Sequence, residues 1–168
     1  MSAYEPMPFH LETERLILEL GTGADAEELC ALVGERESDG TTVERARAYI
    51  EEARVEAAKN GFALLHIRRR DEGDFIGYCG LLIGRGSPEE PEIGYELFKR
   101  VHGNGYATEA ARVVVEAAAA TGRQRLWATV GGWNAPSFRV LEKVGFERDH
   151  VTLDEKGRDR VWMTRTLP

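Results

Sequence analysis

The segment Arg100-Val101-His102-Gly103-Asn104-Gly105-Tyr106-Ala107 joins a cation, two glycines one residue apart and the start of an apolar helical repeat. A helix start carries unpaired N–H groups and a partial positive charge. Glycines let an anion approach the backbone closely. The segment therefore reads either as a cradle for a pyrophosphate or as a glycine-rich strand-to-helix turn with no ligand. It is not a Walker A loop, because no Gly-Lys-Ser/Thr follows, and it lacks the third glycine of the dinucleotide spacing. Upstream, Glu92, Gly94 and Glu96 alternate with Ile93, Tyr95 and Leu97, so a strand here sets both carboxylates on one face. Either carboxylate can accept a proton, directly or through water, if burial or a relay assists it. The competing reading makes both solvated strand carboxylates. Downstream, Asn134 reads as a helix cap. Ser137 reads either as a hydrogen-bond donor or as a first-turn serine bonded to its own backbone.

These residues need elements to hold them. Leu11 to Leu20 reads as a first strand, and Ala24 to Val33 as a helix with Leu29, Leu32 and Val33 on one side. Gly34 to Gly40 is a polar connection. Thr41 and Glu44 fit a capping box for a helix that runs to about Lys59, stopped by Asn60-Gly61. Phe62–Arg69 and Phe75–Ile83 form a hairpin around Asp71–Asp74. The glycines at 77 and 80 suit a bend or bulge. After a Gly/Pro-bearing loop comes the strand Glu92–Phe98. The apolar repeat at 107, 110, 111, 114, 115 and 118 then marks the clearest helix, ended by Gly122. Arg125–Val130 is a strand, Asn134–Val144 a short helix, and 146–153 with 160–166 a closing hairpin. Hairpins imply antiparallel pairs and the βαβ unit one parallel pair, so the expected fold is α+β with a mixed sheet. The whole of 1–168 reads as one domain, with 1–9 as a loose arm.

Composition narrows the function. Of 168 residues, 42% are apolar and 30% charged, which suits one folded core. The net charge of −7 gives no phosphate attraction, so nucleic acid is not an expected partner, whereas a protonated amine is attracted. No apolar run is long enough to span a bilayer. Met1–Pro6 shows no basic region followed by an apolar stretch, so the expected compartment is the cytoplasm, with no membrane partner. Cys30 and Cys79 match no metal or redox spacing and no zinc ligand pattern is present, so no metal is expected.

Three separated stretches, in order, resemble the GNAT superfamily of N-acetyltransferases. Arg100-x-x-Gly103-x-Gly105 is similar to its acyl-CoA loop. The extension Gly105-Tyr106-Ala107-Thr108-Glu109-Ala110, the opening Thr13-Glu14-Arg15-Leu16-Ile17-Leu18, and Asn134-Ala135-Pro136-Ser137-Phe138 running on to Gly145-Phe146 resemble the Rim-type ribosomal-protein N-terminal acetyltransferase branch. The resemblance implies a seven-stranded, mostly antiparallel mixed sheet with about four helices, splayed between the fourth and fifth strands. It implies acetyl-CoA as co-substrate, with pantetheine in the splay against backbone groups of Leu97 and Phe98. The pyrophosphate would rest on the N–H groups of Gly103, Asn104, Gly105, Tyr106 and Ala107, beside Arg100 and His102, with Asn134 near the pantetheine arm.

The implied reaction is transfer of acetyl to a primary amine, of a protein N-terminus or a small molecule, by direct attack in a ternary complex. Glu92 is the favoured base, Glu96 the second candidate or an acceptor contact, and Ser137 the helper of the leaving sulfur. Many GNAT enzymes place a tyrosine acid where this chain has Leu141, which cannot donate a proton. The acceptor pocket is expected between Gly21 and Asn60 and at the final hairpin. The alternatives are a non-catalytic acyl-CoA-binding or sensing domain and a nucleotide-binding α/β domain. Composition leaves monomer and homodimer equally open.

Overall fold

A computed structural model describes residues 3–36 and 40–168. The polar connection expected at 34–40 falls partly outside them. The strands are β1 (His10–Glu12), β2 (Leu16–Glu19), β3 (Leu64–Arg69), β4 (Phe75–Leu82), β5 (Glu92–Leu97), β6 (Arg125–Gly131), β7 (Glu147–Leu153) and β8 (Asp159–Thr166). They form one sheet in the order β1-β2-β3-β4-β5-β6-β8-β7. All neighbours are antiparallel except β5 and β6, which run parallel and share one registered pair, Glu92 with Trp127. The helices are α1 (Ala26–Arg36), α2 (Val43–Asn60), α3 (Tyr106–Ala120) and α4 (Ala135–Lys143).

The mixed α+β architecture agrees with the sequence reading, with eight strands in place of seven. The expected first strand is broken by a turn at Thr13–Arg15, where the Thr13 N–H donates to the Leu16 carbonyl at 2.9 Å and the two halves pair as a hairpin. The splay expected between the fourth and fifth strands therefore lies between β5 and β6. The α2 cap is Thr42, whose hydroxyl accepts from the Arg45 N–H, and not the Thr41–Glu44 box. Thr41 is instead held by its carbonyl, which accepts from the Cys30 thiol. The N-terminal arm is docked rather than loose: the Glu5 N–H donates to the Thr121 carbonyl, the Met7 N–H to the Gly61 carbonyl, and Met7 is buried.

Successive residues of a strand point to opposite faces. On β5, the Tyr95 hydroxyl bonds Ser137 of α4, and the Glu96 carboxylate pairs with Arg36 of α1. The sheet is thus sandwiched, with α3 and α4 on one face and α1 and α2 on the other. The larger core lies under α3, where Ala110, Ala111, Val114 and Val115 are buried with Leu65, Ile76 and Leu126. Leu29, Leu32 and Val33 of α1 pack with Ala46 and Ile50 of α2 over Phe75.

Two of the three sequence stretches meet physically. Glu109, in the first turn of α3, accepts from the Thr13 hydroxyl at 2.5 Å, the Arg15 N–H at 3.0 Å and Arg15 Nε at 2.7 Å. The Arg15 guanidinium lies 4.3 Å over the Tyr106 ring. Burial pushes the Glu109 carboxyl up, but the Thr13 and Arg15 bonds outweigh it and hold the group below its ordinary value. Glu109→Ala removes all three bonds, leaving the Thr13 hydroxyl with the Leu16 carbonyl and the half-exposed Arg15 with water. The expected cost is about 2 kcal/mol, read as a fall of about 4–8 °C in Tm by thermal denaturation.

Candidate functional site

The site begins where α3 begins. Gly103 and Gly105 both adopt φ of +81°, a left-handed conformation that side-chain-bearing residues seldom take. Gly105 is the N-cap residue and supplies no side-chain bond. The first helical bond runs from the Glu109 N–H to the Gly105 carbonyl, so the N–H groups of Tyr106, Ala107 and Thr108 have no partner within the helix. A side chain at Gly103 would meet nothing within 4 Å. The turn is therefore open toward solvent, with donors aimed outward, as an anion requires.

A groove of about 720 Å³ leads from this turn past the C-terminal end of β5, where β6 has diverged, to α4. The loop lines it through His102, Gly103, Gly105, Tyr106 and Ala107, β5 through Tyr95, Glu96 and Leu97, and α4 through Asn134, Ser137 and Val140. The gap has a local cause. A Cβ on Gly77 of β4 would sit 2.8 Å from Leu97 Cα and collide with the Glu96 carbonyl. The glycine lets β5 lie close on β4 at this end, while β6 stays paired along its length with β8. The Phe98 N–H donates to the Ile76 carbonyl of β4 at 2.9 Å. By antiparallel alternation, the backbone groups of Leu97 and Tyr95 face the gap instead.

Ser137 and Asn134 sit as a pair at the start of α4. Asn134 Oδ1 accepts from the Ser137 N–H at 3.3 Å, so Asn134 caps the helix and also lines the groove. The Ser137 hydroxyl is not spent on its own backbone; it lies 2.8 Å from the Tyr95 hydroxyl. Burial pushes the Tyr95 phenol up to about 12, so this hydroxyl pair holds its protons at neutral pH. Tyr95 was missed in the sequence because its parity assigned it to the core face, and that face is where α4 lies. Arg139 and Lys143 of α4, with Lys99, add cations to the groove. Their four-residue spacing on α4 is the signal that would have found the first two.

Four expected site residues take other places. Glu92 is 7% exposed and does not line the groove. Its Oε2 accepts from the Arg85 N–H at 2.9 Å, and its Oε1 from the Thr129 hydroxyl at 2.5 Å and N–H at 3.2 Å. It ties the 84–91 loop to β6, with its lone pairs engaged. Arg100 also points away: Nη1 pairs with Asp74 at 2.8 Å, Nη2 donates to the Phe75 carbonyl at 3.0 Å, and the guanidinium packs on Phe98. The Asn104 amide donates to the Val101 and His102 carbonyls and stiffens the loop. Phe98 packs edge-on to Phe75, its N–H used as above. His102 lines the groove, but its Nε2 bonds the Leu97 carbonyl at 2.9 Å.

Two carboxylates reach the groove, Glu35 of α1, which accepts from the Lys99 N–H at 2.9 Å, and Glu96 of β5. Glu96 Oε2 accepts from Arg36 Nε at 2.9 Å, and its Oε1 from the Tyr78 hydroxyl at 3.4 Å. Burial, and then the Glu96 charge, push the Tyr78 phenol far up, so it stays a donor. Arg36 and Tyr78 also line a second chamber of about 410 Å³ between α1, α2 and the sheet. The chamber takes residues between Gly21 and Glu56, as expected for an acceptor pocket; the final hairpin does not line it.

Comparison with known proteins is consistent with this geometry. The family model described as Acetyltransferase (GNAT) domain matches residues 15–147. The chain is 33% identical over 150 residues to the uncharacterized N-acetyltransferase YoaA of Bacillus subtilis, covering 84% of each protein. A GNAT-family structure from Bordetella pertussis superposes with a TM-score of 0.82 at 22% identity, covering 93% of this chain and 98% of that one. The coenzyme A complex of RimL, a ribosomal L7/L12 α-N-protein acetyltransferase, has the same fold, with a TM-score of 0.80 at 15% identity over 97% and 98% of the two chains.

Asp74 anchors the approach to the loop, accepting a two-pronged bond from Arg69 at 2.7 and 2.8 Å as well as the Arg100 bond. The Arg69 bonds first, and then Arg100, hold its carboxyl down to about 2, against an ordinary 3.8. A depressed carboxylate contributes stability above its unfolded value and loses it as pH falls through the folded one. The Tm advantage of wild type over Asp74→Asn is therefore expected in full above pH about 5, falling progressively and vanishing only below pH about 2, in melting curves recorded across that range.

Proposed function

Because the chain belongs to the GNAT acetyltransferase family, we propose that it moves the acetyl group of acetyl-CoA onto a primary amine by direct attack in a ternary complex. The observation that carries this reading is the continuous groove from the uncapped start of α3 to the Glu96 carboxylate. The residues fit the donor. The N–H groups of Tyr106, Ala107 and Thr108, opened by Gly103 and Gly105, would hold the pyrophosphate, with Lys99, Arg139 and Lys143 as surrounding cations. The edge of β5 at Tyr95 would pair with the pantetheine arm, as an added strand does, because the Leu97 carbonyl is already bonded to His102. Acetyl-CoA supplies an activated thioester.

The chain's own groups then divide the proton work. Glu96 accepts the amine proton, directly or through one water, held in place by Arg36 and Tyr78. An alkyl ammonium with a pKa of about 10.4 asks more of this base than an N-terminal amine at about 7.7–8.0. The Leu97 N–H, facing the gap, polarises the thioester carbonyl. The Tyr95–Ser137 hydroxyl pair donates a hydrogen bond to the leaving sulfur. A thiol with a pKa of about 8.5 needs only modest help, so Ser137, a poor acid alone, suffices with a buried phenol behind it.

The withdrawal of Glu92 into a structural role favours one alternative, an acyl-CoA-binding domain without catalysis. Glu96→Gln separates the two. On the transfer reading it lowers kcat by about 10²–10⁴-fold with CoA affinity retained. A wild type that releases no thiol from acetyl-CoA with any amine in a broad panel supports the binding domain instead. Gly103→Glu tests the cradle. It puts bulk and negative charge at the anion position, and CoA affinity by calorimetry should fall at least about 100-fold with an unchanged melting profile. Unaltered affinity would remove the cradle.

A further inference from the structure

We infer that the acceptor is a primary amine carrying a compact apolar body, which fills the chamber between α1, α2 and the sheet and presents its nitrogen to Glu96. The inference rests on the transfer reading above and names the acceptor for it. The chamber and the groove share Arg36 and Tyr78, the two side chains bonded to Glu96. A molecule seated in the chamber therefore meets the groove at the proton acceptor.

The walls define the chemistry. Leu29, Val33 and Ile50 come from the helices, and Leu64 and Leu82 from the sheet. About 410 Å³ is small-ligand size and accommodates one aromatic or branched aliphatic group. A hydroxyl-rich amine would set polar groups against these apolar walls, with few partners beyond Tyr49, Glu52 and Glu56. Glu52 and Glu56 of α2 also line the chamber, and with Glu96 they oppose a substrate whose amine sits beside a carboxylate. Arg36 also lines the chamber, with its Nε bonded to Glu96, and His66 adds no second positive charge. Its ring is bonded to Asp25 at 3.2 Å, and burial lowers its pKa below the ordinary value, so it is neutral at physiological pH.

The test uses wild type, Ala53→Leu and Ala53→Phe, substitutions that grow into the chamber from α2. Thiol release from acetyl-CoA is measured with 2-phenylethylamine, 3-methylbutylamine, ethanolamine, glycine and kanamycin. Binding of 2-phenylethylamine is measured by calorimetry, and CoA affinity serves as the folding control. The expected kcat/KM for the two apolar amines exceeds that for ethanolamine by about 100-fold. Ala53→Phe should weaken 2-phenylethylamine binding more than ten-fold, and Ala53→Leu less, each about as the filled volume dictates. Thiol release with ethanolamine or kanamycin as fast as with the apolar amines overturns the inference and leaves the transfer reading standing. So does 2-phenylethylamine binding unchanged in Ala53→Phe with CoA affinity intact. If no amine releases thiol, yet 2-phenylethylamine binds wild type and is lost from Ala53→Phe, the transfer reading fails and the chamber assignment holds. The absence of both thiol release and 2-phenylethylamine binding in wild type overturns the inference outright. Should Ala53→Phe lose CoA affinity through misfolding, Ala53→Leu and the wild-type panel decide.

Discussion

Everything in the site depends on β5 leaving β6 after a single registered pair. A strand in mid-sheet has both backbone edges occupied, and it offers a ligand nothing but side chains. Here β5 stays in register with β4 as far as Leu97, opposite a glycine at 77 that leaves room for it, while β6 follows β8. The freed edge of Tyr95 and Leu97 becomes a binding surface inside the protein, bordered by two helices and close to the open start of α3. The gap also connects the two faces of the sheet, which otherwise are sealed from one another. One face delivers hydroxyls and cations, the other a carboxylate.

That division follows from strand geometry at two adjacent residues. Tyr95 and Glu96 point to opposite sides, so a hydroxyl and a carboxylate stand on either side of the same short stretch of backbone. Each is held by a partner from a different helix: Ser137 from α4 and Arg36 from α1. The supporting contacts matter because a long carboxylate side chain on an open edge would otherwise sample many positions. Bonds at 2.9 Å from Arg36 and 3.4 Å from Tyr78 restrict it.

The loop and its helix were legible in the sequence because their requirements are local. A left-handed turn calls for glycine, and an apolar repeat of helical period follows it at once. The fates of Glu92 and Arg100 were not legible, because their causes are distant in the chain. Period-two alternation correctly puts Glu92 and Glu96 on one face, but the paired end of β5 brings Thr129 and Arg85 to Glu92, and the open end leaves Glu96 at the groove. Arg100 is claimed by Asp74, a residue of the preceding hairpin that shows no sequence relation to it. Tyr95 was hidden by the same parity argument: an outward hydroxyl on a core-facing strand position signals nothing until α4 is placed beside it.

The brace between Glu109 and the Thr13–Arg15 turn spans 94 to 96 residues. Closing a loop of that length carries a large entropic penalty before any contact rewards it. As the chain leaves the ribosome, the β1–β2 hairpin is finished long before α3 exists. The turn must wait for the middle of the protein to be made. Helix α3, whose start opens onto the groove, is thus fully anchored only when the two ends of this span have met.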